Sequence, residues 1–257
     1  MDFSGVSNRT LVGRLLRLPL ALIPSRTILP ILQGKLRGTK WIVGSSNHGC
    51  WLGSAEYAIR CVFESVVLEG SVVFDVGANV GFYTLLASVL VGGRGRVFAF
   101  EPLPRNLGYL KKHLEINGIN NVSVIEGAVS DCDGVANFDE GPNHAMGRLA
   151  PGGRLAVRTV SLDEMMRRGE LPSPDCMKID VEGGEMLVLS GAKVLLENSR
   201  PTVFLATHGR GLHQQCCELL TSFGYHLRPI GANNLEQADE ILAWSGTLLS
   251  EGGDARE

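Results

Sequence analysis

The sequence has no C-x-x-C pair among its six cysteines, no apolar run long enough to span a bilayer and no excess of basic charge. Each absence excludes a class. Cys50, Cys61, Cys132, Cys176, Cys216 and Cys217 have no regular spacing, which argues against a zinc ribbon or a disulfide frame and for thiols in a reducing cytosol. A net charge of −3 gives no reason to expect a nucleic-acid partner. The leucine-rich stretch 11–32 is interrupted by Arg14, Arg17, Pro19, Pro24, Arg26 and Pro30, so it neither crosses a membrane nor resembles a cleavable signal. The chain therefore reads as cytoplasmic. With 44% apolar and 20% charged residues, 257 residues suffice for one domain with a substantial core and a small appendage.

The basic residues are unevenly spread. Arg9, Arg14, Arg17, Arg26, Lys35, Arg37 and Lys40 face only Asp2 within the first forty positions. A cap folded over the rest of the chain is the favoured reading, and peripheral contact with a membrane surface is the alternative. Residues 34–44 read as a small hairpin, and the loop with His48, Trp51 and Glu56 stands ready either to cover a substrate or to pack Trp51. The expected divisions are 1–69 for the cap and substrate-side loop, 70–250 for the main domain and 251–257 for a frayed tail.

One glycine is also missing where it would matter. Val72-Val73-Phe74-Asp75-Val76 reads as a buried strand that turns through Gly77-Ala78-Asn79-Val80-Gly81 into an apolar-periodic helix from Phe82. A dinucleotide site needs a second glycine where this loop has Asn79. The glycines are expected to let backbone N–H groups reach a carboxylate or phosphate at the helix N-terminus, and Asp75 suits an ammonium. The next strand, Arg96 to Phe100, ends in Glu101-Pro102, 20 residues after Gly81 and close to the spacing at which an acid meets ribose hydroxyls. An amino-acid end and a nucleoside end together describe S-adenosylmethionine.

From Val72 strands and helices alternate, which predicts a doubly wound, mostly parallel α/β sheet. Residues 104–117 read as a helix and 122–125 as a strand whose end places Ala128 and Val129 beside an adenine. Residues 131–160 read as an antiparallel excursion whose polar residues Asn143, His144 and Arg148 are expected to be solvated. Cys176 to Ile179 then delivers Asp180 and Glu182 to a glycine turn, with Glu185 opening a helix over 186–196. The strand Thr202–Ala206 ends in Thr207-His208-Gly209, and the last strand is Glu240–Trp244. Ligands of such sheets bind beyond the carboxyl ends of the strands, so Asp75, Glu101, Asp180, Glu182 and His208 should share one crevice.

The combination Phe74-Asp75-Val76-Gly77-Ala78-Asn79-Val80-Gly81-Phe82-Tyr83-Thr84, Phe100-Glu101-Pro102, Lys178-Ile179-Asp180-Val181-Glu182-Gly183 and Gly191-Ala192 resembles the FkbM family of S-adenosylmethionine-dependent methyltransferases over roughly residues 70–230. The resemblance implies a class I methyltransferase (Rossmann-like) fold, a seven-stranded sheet with one antiparallel strand. It also implies methyl transfer to a hydroxyl of a sugar or secondary metabolite. By that resemblance Asp75, Gly77, Asn79 and Glu101 bind the donor, and Asp180 and Glu182 line the reaction centre. Many members have an acid where this chain has Thr207-His208, which leaves the base open. His208 and Asp180 are the candidates, with His48 a distant third. Mg²⁺ held by Asp180 and Glu182 is the alternative to a base. A nicotinamide oxidoreductase and a non-catalytic donor-binding protein are the competing functions.

Overall fold

The structure, a computed structural model, describes residues 20, 22–139, 141 and 147–246. Arg9, Arg14, Arg17, Asn143, His144 and the tail 251–257 lie outside them. Ile28–Pro30 (β1) and Lys40–Ile42 (β2) pair antiparallel, and the short helix His48–Leu52 (α1) and the helix Tyr57–Val66 (α2) follow. The hairpin expected at 34–44 is therefore wider than its sequence suggested. Gly34 and Gly38 take positive φ angles of 79° and 89° and form its connection instead of its strands.

The main domain runs Val72–Val76 (β3), Phe82–Val91 (α3), Arg96–Glu101 (β4), Pro104–Ile116 (α4) and Val122–Glu126 (β5). An excursion follows: Ala128–Val129 (β6), Gly134–Asp139 (β7), Arg148–Leu149 (β8) and Leu155–Val160 (β9) form a separate sheet in which β7 is antiparallel to β8 and β9. The chain then returns through Leu162–Arg167 (α5), Cys176–Ile179 (β10), Glu185–Ser190 (α6), Lys193–Asn198 (α7), Thr202–Ala206 (β11), Arg210–Ser222 (α8), His226–Ile230 (β12) and Glu240–Trp244 (β13). The seven-stranded sheet has the order β12-β13-β11-β10-β3-β4-β5, with β13 antiparallel to both neighbours and the other pairings parallel. This is the class I methyltransferase fold. Among the described residues no helix is long and apolar enough to cross a membrane.

Two apolar layers sandwich the sheet, and the strand period assigns residues to them. Val73 and Phe204 face a cluster with Trp41, Phe63, Leu85 and Leu86, whereas Phe74, Val203 and Leu205 face one with Phe100, Ile179, Leu189 and Leu196. Trp41 and Phe63 thus belong to a core that the N-terminal segment shares with the sheet. His113 of α4 seals that junction. Its ring stacks on Trp41 at 4.0 Å, its Nε2 accepts from the Ile42 N–H at 3.1 Å, and its Nδ1–H donates to the Val80 carbonyl at 2.8 Å. Burial holds this imidazole neutral by lowering its pKa to about 4.

The helix expected over 186–196 is broken into α6 and α7 at Gly191-Ala192. A side chain at Gly191 would lie 2.0 Å from the Ser130 carbonyl, and the Gly191 carbonyl itself accepts from the Asp163 N–H (2.8 Å) and the Ser161 hydroxyl (3.1 Å). Those tertiary hydrogen bonds take the carbonyl that a continuous helix would have used internally.

Candidate active site

The parallel register brings the carboxyl ends of β3, β4, β10 and β11 to one edge, with Asp75 opposite Lys178 and Ile179 opposite Leu205. Beyond that edge lie three adjoining hollows. The first, about 560 Å³, runs from an apolar end at Leu103, Phe138, Val129 and Leu149 past Glu101 to Gly77 and Asp180. The second, about 870 Å³, is bounded by Asn47, Glu56, Asp75, Ala78, Val80, Tyr83 and Lys178. The third, about 810 Å³, has walls of Glu56, Thr207, His208, Asp239 and Glu240. Asp180 and Glu182 line all three.

Glu101 organises the first hollow. Its Oε2 accepts from the Asn79 N–H at 2.8 Å, and its Oε1 accepts from the Leu103 N–H (2.9 Å) and the Asn106 amide (3.3 Å). Burial raises its pKa to about 7 against the pull of those donors. A carboxylate oxygen that accepts one hydrogen bond can accept another, so Oε2 remains able to receive a ligand hydroxyl.

The glycine turn works differently from its sequence expectation. The Gly77 and Ala78 N–H groups both donate to the Phe100 carbonyl (3.0 and 2.9 Å), Asn79 donates to Glu101, and Gly81 donates to the Ala78 carbonyl (2.9 Å). These amides hold the loop, so they are not a ready anion cradle. Nor does the missing side chain at Gly77 make room for a ligand, because a Cβ there would lie 1.9 Å from the Asp180 carbonyl. At Gly81 it would lie 2.5 Å from Leu110 Cδ1. Both glycines serve close packing, although Gly77 still lines the first and second hollows.

Asp75 is buried and faces the second hollow, where its Oδ2 accepts from the Thr84 hydroxyl at 2.6 Å. Burial raises its pKa while Lys178 pulls it down. Lys178, 3% exposed, sits 3.0 Å from Asp180 Oδ2 and 4.5 Å above the Tyr83 ring. Burial opposes its charge, but Asp180, Glu56, Asp75 and Glu240 outweigh that and raise its pKa. Asp180 is pushed up by burial and pulled further down by Lys178 and His208, so its carboxyl stays below the ordinary range.

The structure brings His208 to this acid pair. His208 Nε2 lies 3.3 Å from Glu182 Oε2 and 4.0 Å from Asp180 Oδ1, and its Nδ1 lies 2.7 Å from Glu185 Oε1. The bond to Glu185 raises the imidazole to about 9, against burial and with help from Glu182. Pro102 and Ala128 line the first hollow and Ala78 the second, whereas Gly81 lines none. His48 also lines none of the three, since its Nδ1 accepts from Trp51 Nε1 at 3.1 Å, and Arg148 is exposed in β8. Trp51 is buried packing. Several contributors were missed, among them Lys178, Phe138, Asp239 and Glu240. Lys178 stood inside the quoted motif, where a lysine in an otherwise apolar strand was the available signal. Phe138 comes from the excursion, and no local pattern marks it.

Comparison with known proteins identifies relatives of this chain. Residues 75–228 match the model of the methyltransferase FkbM domain. The chain is 32% identical over 142 residues to the hexuronic acid methyltransferase AglP of Haloferax volcanii, covering 54% of this chain and 57% of AglP. It is 24% identical over 151 residues to a probable cobalt-precorrin-6B C(15)-methyltransferase (decarboxylating) of Sulfurisphaera tokodaii, covering 54% of this chain and 78% of that protein. The crystal structure of methyltransferase FkbM from Methylobacillus flagellatus superposes with a TM-score of 0.49 at 18% identity, over 68% of this chain and 43% of that one. The chain thus spans little more than half the length of AglP. The domain match begins at Asp75 and takes in Glu101, Asp180, Glu182 and His208, and on that match the chain belongs to the FkbM methyltransferase family.

Proposed function

We propose that this chain is an S-adenosylmethionine-dependent O-methyltransferase acting on a hydroxyl of a sugar or related polyol. The observation that carries the reading is the continuity of the first two hollows at Asp180. An apolar end suits a nucleobase, Glu101 Oε2 suits a ribose hydroxyl, and Asp75 and Glu56 in the second hollow suit an ammonium. S-adenosylmethionine, when bound, supplies an electrophilic methyl group on a sulfonium.

The protein's own contribution is to orient the acceptor and take its proton. Asp180 stands where the three hollows meet and is ionised at neutral pH, so it is the proposed proton acceptor. His208 already holds a proton up to about pH 9, and it orients the carboxylates in that state. Glu56, Asp239 and Glu240 face the acceptor side in the third hollow. Such walls favour an uncharged polyol over a carboxylate-bearing acceptor such as the hexuronic acid in AglP's name. Mg²⁺ fits poorly at Asp180 and Glu182, because an imidazole stands beside both acids and that ion prefers oxygen ligands.

The decisive experiment measures binding of S-adenosylhomocysteine and of NAD⁺ by calorimetry, then transfer of labelled methyl to neutral glycosides and to uronates. Binding of the nucleoside thioether, rejection of NAD⁺ and faster labelling of the neutral acceptors are expected. Tight NAD⁺ binding without thioether binding would overturn the proposal. Asp180→Asn should lower turnover about a hundredfold while thioether affinity changes only a few-fold; unchanged turnover removes Asp180 as proton acceptor.

Glu101 gives the donor site a pH signature. Ribose hydroxyls donate to a carboxylate, so the ligand binds the ionised form of a group whose pKa is about 7 in the free protein. Affinity should be level above that pH and fall towards tenfold per unit below it. Glu101→Gln should bind more weakly and abolish the slope. A wild-type affinity that is constant from pH 5 to 8 would count against ribose recognition by Glu101.

A further inference from the structure

The cluster Asp180, Glu182, His208 contains an arrangement that methyl transfer alone does not require. Glu185 is wholly buried, and its Oε1 lies 2.7 Å from His208 Nδ1 and accepts from the Gly183 N–H at 3.0 Å. A carboxylate only accepts, so His208 Nδ1 carries hydrogen and the bond fixes the ring's direction. Nε2 is thereby aimed at Glu182 Oε2, 3.3 Å away, and Asp180 Oδ1, 4.0 Å away. One ligand atom from each of the three residues lies within 4.8 Å of the other two. Both carboxylates converge on Nε2, so a positive charge is needed at that point. The Nε2 proton supplies it in the metal-free protein, and a metal ion displaces that proton when one binds. Asp180 uses its other oxygen, Oδ2, for Lys178, which leaves Oδ1 free to ligate. The remaining oxygen of Glu185 is buried and has no hydrogen-bond partner, so the acid is committed to the imidazole and the turn.

We infer that Asp180, Glu182 and His208 form a binding site for a divalent first-row transition ion, with Glu185 as the positioning residue behind His208. A ring held by a carboxylate on one nitrogen and offering the other to a metal is the usual support for a histidine ligand. Two carboxylates and one imidazole suit Mn²⁺, Fe²⁺ or Zn²⁺ better than Mg²⁺ or Ca²⁺. The third hollow gives solvent and acceptor access to the site. Three protein ligands leave positions open, and with the ion bound both oxygens of Asp180 are taken, so the ion in place of Asp180 would then acidify an acceptor hydroxyl. The inference rests on this cluster and not on the methyl-transfer reading, so it is tested without S-adenosylmethionine.

The test is titration of the full chain, first treated with chelator, with Mn²⁺ followed by electron paramagnetic resonance, alongside Mg²⁺ as competitor. One Mn²⁺ per chain is expected, resistant to an equal concentration of Mg²⁺, with paramagnetic broadening of the His208 imidazole NMR signals. Glu182→Gln and His208→Gln should each weaken binding at least tenfold, and Glu185→Gln should weaken it about 10–100-fold as an outer partner, with circular dichroism confirming that each variant is folded. Absence of stoichiometric Mn²⁺ in the wild type overturns the inference, and so does binding that leaves His208 unbroadened. The wild-type measurement decides the matter even if a variant fails to fold.

Discussion

Replacing Lys178 by methionine is expected to lower the free energy of unfolding by about 3–5 kcal/mol, the range seen when one member of a buried ion pair is removed. Methionine matches the apolar stem and keeps packing against Tyr83, so the change isolates the charge. Two acids lose their counter-ion: Asp180, paired at 3.0 Å, and Asp75, which burial already pushes towards its neutral form. Without Lys178 both carboxyls should rise, Asp75 further above the ordinary range and Asp180 out of its depressed one, and take up protons. A raised folded-state pKa gives stability that is present below the unfolded value and lost as pH rises through the folded one. The variant should therefore be damaged less at pH 5 than at pH 8. Urea unfolding at both values checks this, and a loss below 1 kcal/mol at pH 8 would show that Lys178 is not the counter-ion of the site.

Gly77→Ala is expected to cost about 3 kcal/mol or more, and to abolish thioether binding in whatever fraction still folds. Its φ of 83° is in the left-handed region, which alone costs alanine about 1 kcal/mol. The larger part is steric. The new methyl would lie 1.9 Å from the Asp180 carbonyl oxygen and 2.8 Å from its carbon, and these are backbone atoms at the end of β10 that cannot rotate away. Relief requires separating β3 from β10, which moves Asp180 away from Glu101. Gly183→Ala is the control: its φ of 101° is also unfavourable, but nothing lies within 4 Å of the new methyl. Thermal melts of the two variants should differ widely. Equal melts would mean that backbone conformation, not the contact with β10, is what requires glycine at 77.

Both expectations concern contacts across β3 and β10, and this is where sequence and structure divide. The strands β3, β10 and β11 were legible because central strands of a parallel sheet are buried on both faces and appear as short apolar runs between turn residues. Strand β13, though antiparallel, is buried in the same way. The N-terminal hairpin was less so, because its strands are three residues each and its glycines looked like part of the ladder. The site's membership was largely readable too. Asp75, Glu101, Asp180 and His208 each stand at or just past a strand's carboxyl end, and parallel strands necessarily bring those ends to one edge.

What those residues do to one another was not readable. The turn amides look free in the sequence, yet Phe100 and Glu101, both more than twenty residues away, accept from them. His208 looks like a base until Glu185 is found behind it, and Lys178 looks like strand filler until it is found between Asp75 and Asp180. By itself the sequence determined the alternating chain order, the buried strands and the edge at which the acids gather, because these follow from local periodicity and sheet geometry. Only the tertiary structure decided which acid pairs with which cation, because protonation and hydrogen bonding depend on neighbours brought together from distant positions, at distances of about 3 Å that no spacing along the chain encodes.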